Sequence, residues 1–131
     1  YFVGHSIGVQ TILRYLEKAH TKVGGVVAVA GWYTLTDDAF DDEKDKQTAQ
    51  PWLDTPMNNE KVKHTINHIT AIFSDNDPYV PLENKDLFED RLGAKTIVVK
   101  GKGHIAGSDN IKEYPLILDE LLKIIVSSPV G

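Results

Sequence analysis

The sequence predicts an α/β protein built on a parallel sheet, and three observations carry that prediction. Short β-branched apolar runs alternate with longer segments of helical periodicity four times along the 131 residues. The run Gly25-Val26-Val27-Ala28-Val29-Ala30 is apolar throughout, as a strand buried on both faces requires. Ser6, Asp77 and His104 each fall just after a predicted strand, so one rim of such a sheet would collect all three.

The first strand, Tyr1-Phe2-Val3, runs into Gly4-His5-Ser6-Ile7-Gly8, and a helical pattern follows at once. Strand, sharp turn and helix around Gly-x-Ser-x-Gly form a nucleophile elbow. Gly4 and Gly8 suit a turn too tight for side chains near the serine. Val9, Ile12, Leu13 and Leu16 then mark an amphipathic helix ending near His20. After the buried strand at 25–30, the stretch from Trp32 to about Met57 reads as irregular, acidic and aromatic-bearing. It is expected to be a lid or binding loop, or else a surface excursion plugged by its aromatics.

Glu60 to His68 reads as a helix with Val62, Ile66 and Ile69 on one side, and Thr70–Ser74 as a strand. Asp75-Asn76-Asp77-Pro78 is a turn cluster. Pro81 and Glu83 open a helix that Gly93 can terminate, and Thr96–Val99 is the fourth strand. Gly101-Lys102-Gly103-His104 is a glycine-rich turn. Tyr114, Ile117, Leu118, Leu121, Leu122 and Ile125 give the last helix the clearest periodicity in the chain.

Composition sets bounds. Hydrophobic residues make up 41% and charged residues 25%, the usage of a soluble globular domain, here read as one domain over 1–131. A net charge of −5 without a Lys/Arg block argues against nucleic acid or an anionic membrane as partner. The absence of cysteine excludes disulfides, thiolate zinc sites and a cysteine nucleophile, and leans the reading toward the cytoplasm. No apolar run approaches the roughly 20 residues that cross a bilayer. The chain starts at Tyr1, inside a strand and without Met, so a piece of a longer chain is expected, and a missing leader carries no weight.

A serine hydroxyl becomes a useful nucleophile when a histidine takes its proton and a carboxylate orients that histidine. The order Ser6, Asp77, His104 is that of the α/β-hydrolase fold. Each residue has a plainer alternative. Ser6 could cap a helix, Asp77 could only form a turn with Asp75 as its rival for the acid, and His104 could be a turn residue. The glycines around Ser6, the position before Pro78 and the strand before His104 favour the chemical roles. The Ile7 backbone N–H would face a developing oxyanion. His5 reads as a packing or hydrogen-bonding neighbour of the elbow. Trp32, Trp52 and Tyr79 are candidates for an acyl pocket, against core or lid packing. Glu60, His64 and His68, at i, i+4 and i+8, could face a metal, but they lack the His-Glu-x-x-His arrangement and read as a solvated face.

Taken together, Gly4–Gly8, the turn Phe73-Ser74-Asp75-Asn76-Asp77-Pro78-Tyr79-Val80-Pro81 and Gly101–His104 resemble the small α/β-hydrolases of the YdeN-like family, which includes the retinoblastoma-binding serine hydrolase. The resemblance runs from Tyr1 to about Ile125. It implies a three-layer parallel-sheet α/β-hydrolase with Ser6 as nucleophile, Asp77 as acid and His104 as base, acting on small acyl esters without metal or organic cofactor. It also implies that the opening strands, one covering helix and the loop giving a second oxyanion N–H are missing. A raw sheet edge, an uncovered apolar face, low activity and self-association through that edge are therefore expected. The competing expectation is a catalytically silent protein-binding module, with 32–57 as its recognition surface.

Overall fold

The parallel strand from Val26 to Val29 is buried at every residue, and it is central because its neighbours on both sides are also strands. The computed structural model describes residues 1–127, so the last four residues of the expected 1–131 domain lie outside the described residues. Strands β1 (Phe2–His5), β2 (Val26–Val29), β3 (Ile69–Ser74) and β4 (Lys95–Val99) lie in that order, all parallel. Gly4 pairs with Ala28, Ala28 with Ala71, and Ala71 with Thr96, which aligns the C-terminal strand ends on one rim.

Among the described residues there are five α-helices: α1 (Ile7–Lys18), α2 (Glu43–Asp54), α3 (Asn59–Thr65), α4 (Glu83–Leu92) and α5 (Pro115–Ser127). Val9, Leu13 and Leu16 of α1, Val62 of α3 and Phe88 of α4 pack over one face of the sheet. On the other face, Ile117, Leu121 and Ile124 of α5 pack with Val27, Val29 and Ile72. The result is the parallel α/β sheet the alternation predicted, covered on both faces as the resemblance implied. Phe73 and Leu13 are almost wholly buried, so truncating either to Ala costs about 3–5 and 2–5 kcal/mol respectively.

Two expectations need correction. The stretch from Trp32 to Met57 is not irregular, since it holds a 3₁₀ turn at Asp37–Ala39 and the three-turn helix α2. Asp42 caps α2 by accepting from the Asp45 N–H at 2.9 Å, and Glu43 and Asp45 complement the positive end of its dipole. With no buried residue and with Pro51 in its interior, α2 shows no apolar stripe for periodicity to find. The next helix is shorter than expected. The backbone turns extended at Ile66, which bridges to Val23, and Ile69 already belongs to β3.

The expected edge is present. Among the described residues β1 pairs only with β2, and Val3 stands 48% exposed on it. Leu118, Leu122 and Ile125 leave an apolar stripe of α5 open to solvent. No helix among the described residues is long and apolar enough to cross a membrane.

Candidate active site

Ser6 sits between β1 and α1 with φ 54° and ψ −121°, a conformation that costs a non-glycine residue roughly 1–3 kcal/mol. Its N–H donates to the Val29 carbonyl at 2.9 Å, tying the turn to β2. Ser6 occupies the N-cap position of α1, but its hydroxyl makes no capping bond to the helix. Gly4 is required, because a Cβ there would stand 2.6 Å from Ile12 Cδ1 and 3.1 Å from backbone atoms of α1. Gly8 is not needed for space, since a Cβ there meets nothing within 4 Å. The tightness lies on the strand side of the serine alone.

The loops after β3 and β4 bring two further side chains to Ser6. His104 Nε2 lies 3.0 Å from Ser6 Oγ, and His104 Nδ1 lies 2.9 Å from Asp77 Oδ2. The other Asp77 oxygen accepts from the N–H groups of Tyr79 and Val80 at 2.9 and 3.1 Å. Asp75 accepts from the Gly101 N–H at 2.8 Å, and of the two aspartates it is Asp77 that meets the His104 ring. His5 bonds the His104 carbonyl through Nε2 at 2.8 Å, and the Tyr79 ring meets the imidazole edge-on. Ala30 and Ile105, beside the same rim, also carry positive φ.

A cavity of about 270 Å³ opens at Ser6. Trp32, Trp52 and Tyr79 all line it, together with Leu35, Phe40 and Ala49. The Trp32 indole N–H points at Ser6 Oγ across 3.4 Å, a long and weak contact. One wall of the cavity is α2, and Arg14 holds α2 in place by donating from Nη2 to the carbonyls of Trp52 and Thr55. Those are orphan carbonyls at the helix C-terminus, where a cation is favoured. Gln10 links the same guanidinium to the Trp32 carbonyl. Sequence reasoning missed Arg14, since a cation on a helix surface gives no sign of which carbonyls it will meet.

His64 stands 3.9 Å from Glu60, but His68 lies past the end of α3 and leaves their face. No grouping of three metal-ligating side chains occurs among the described residues.

The family model described as "Serine hydrolase" matches residues 1–123. Serine hydrolase RBBP9 of Rattus norvegicus is 29% identical over 107 residues, covering 82% of this chain and 53% of that protein. Putative hydrolase YdeN of Bacillus subtilis is 26% identical over 124 residues, covering 92% of this chain and 61% of its own length. The chain therefore spans between half and two thirds of these relatives. The crystal structure of the ydeN gene product from B. subtilis superposes with a TM-score of 0.80 at 22% identity, covering 96% of this chain and 66% of that one.

Proposed function

The chain belongs to the serine hydrolase family, and from that premise we propose that it hydrolyses carboxylic esters of small acyl groups through an acyl-enzyme. Ser6 Oγ attacks the ester carbonyl carbon while its proton passes to His104 Nε2. Asp77 holds the Nδ1–H tautomer and stabilises the imidazolium. The Ile7 N–H takes the oxyanion. As the tetrahedral adduct collapses, the C–O bond to the alcohol breaks and His104 returns the proton to the departing oxygen. Water, deprotonated by His104, then attacks the acyl-enzyme and frees the acid and Ser6. The aromatic cavity beside Ser6 takes the acyl group, which excludes water and strengthens each of these polar contacts.

The single observation that supports this reading most is the unbroken relay, with Ser6 in hydrogen-bond reach of His104 and His104 in reach of Asp77. Nothing in a protein-binding surface requires that alignment. Ile7 is the one oxyanion donor assigned here, and a hole short of one donor turns over about 10²–10³-fold more slowly. The test is turnover of p-nitrophenyl acetate by the chain and by its Ser6→Ala variant. Turnover that disappears in the variant supports the assignment. Equal rates from both proteins refute it.

A further inference from the structure

The loop carrying His104, from Gly101 to Ile105, is neither helix nor strand, and Gly101, Gly103 and Ile105 all have positive φ. Such a backbone forms no regular ladder; the Ile105 N–H turns back to the Lys102 carbonyl at 3.0 Å, and the other four must find acceptors outside the loop. Side chains supply all four. The Gly101 N–H donates to Asp75 Oδ1 at 2.8 Å, the Lys102 N–H to Ser74 Oγ at 3.0 Å, and the Gly103 N–H to Asn76 Oδ1 at 2.7 Å. The His104 N–H donates to Asp109 Oδ2 at 3.0 Å, and that oxygen also accepts from Ala106 at 3.2 Å. Four successive amides are thus held by four different side chains, three of them consecutive in the acid turn. Ser74 Oγ–H in turn donates to Asn76 Oδ1 at 2.9 Å, which fixes the two acceptors against each other. The Asp109 carboxylate packs directly against Gly103, where a Cβ would collide with it.

We infer that Ser74, Asp75, Asn76 and Asp109 are positioning residues for His104, so that the acid turn and the histidine loop act as one zipped unit. Asp77 grips the imidazole itself, and its neighbours grip the backbone that carries it. The catalytic side of this inference rests on the hydrolase reading above; the geometric side does not. A histidine must sit within a fraction of an ångström of its productive position, and a displacement of about 1 Å costs roughly 10²-fold in rate. Two glycines on the preceding three residues would otherwise permit that displacement. The inference also gives Asp75 a role other than the acid for which it competed: it needs only an acceptor oxygen, not a charge.

The test separates an acceptor from a charge and from bulk stability. Asp75→Asn and Asp109→Asn keep an acceptor oxygen, whereas Asp75→Ala and Asp109→Ala remove it. We expect both Asn variants to retain kcat within about threefold of wild type. Asp109→Ala should lose about 10²-fold in kcat, and Asp75→Ala about tenfold, with KM within twofold in each. The low-field proton resonance of His104 Nδ1–H should persist in the Asn variants and broaden in Asp109→Ala, at a temperature well below its measured melting point. Wild-type kcat together with a sharp resonance in Asp109→Ala overturns the inference, and so does an Asn variant as damaged as its Ala counterpart. If wild type shows no ester turnover, the hydrolase reading fails, and the resonance alone still decides the positioning role.

Discussion

Asp77 and His104 lie 27 residues apart in sequence, yet Asp77 Oδ2 stands 2.9 Å from His104 Nδ1 with the Asp77 side chain 2% exposed and that of His104 13% exposed. A carboxylate so enclosed is held there by three hydrogen bonds, two from backbone N–H groups and one with the imidazole. The Asp77→Asn variant keeps the shape but offers an amide to Nδ1, favouring the wrong tautomer. We expect kcat for p-nitrophenyl acetate to fall about 10³–10⁴-fold with KM little changed, measured on protein whose circular dichroism matches wild type.

Arg14 joins the elbow helix to the wall of the cavity through the Trp52 and Thr55 carbonyls. Arg14→Met keeps much of the aliphatic stem and deletes those bonds. The expected result is a looser α2 and a KM about 5–20-fold higher for longer acyl esters, equivalent to about 1–2 kcal/mol of lost binding. Acetyl esters, which fill little of the cavity, should be less affected. Steady-state kinetics across an acyl-length series would check this.

Much of the architecture was legible in the sequence. The length and β-branching of the apolar run at 25–30 favoured a doubly covered strand, and the predicted strand endings put Ser6, Asp77 and His104 on one rim. What stayed hidden has a common cause. α2 is polar nearly all round and owes its start to the Asp42 cap, so no stripe announces it. The bonds from Ser74, Asp75 and Asn76 to residues 101–103 join side chains to backbone across a long sequence gap, and neither periodicity nor motif spacing reports such pairings. Gly8 misled in the opposite direction, since a motif glycine was credited with a steric need that only Gly4 meets.

Glu120 of α5 is 3% exposed and accepts from Lys123 Nζ and Lys95 Nζ, both at 2.9 Å. Lys123, and after it Lys95, hold its carboxyl below the usual carboxylate range against the opposing pull of burial. A lowered folded-state pKa means stability that is present above the unfolded value, about 4.3, and lost as pH falls through the folded one. Both lysines are more than half exposed, so solvent keeps the contribution near 1 kcal/mol. Glu120→Gln should therefore lower Tm by about 3–6 °C at pH 7, and the gap to wild type should narrow progressively as pH falls below about 4.3. Thermal melts across that pH range would show it.

The account depends on an activated Ser6, and covalent trapping tests that most directly. Wild-type chain incubated with a fluorophosphonate should gain one adduct by intact mass, mapped by peptide sequencing to Ser6, while Ser6→Ala gains none. An unlabelled wild type, or an adduct that persists undiminished in Ser6→Ala, would contradict the central claim.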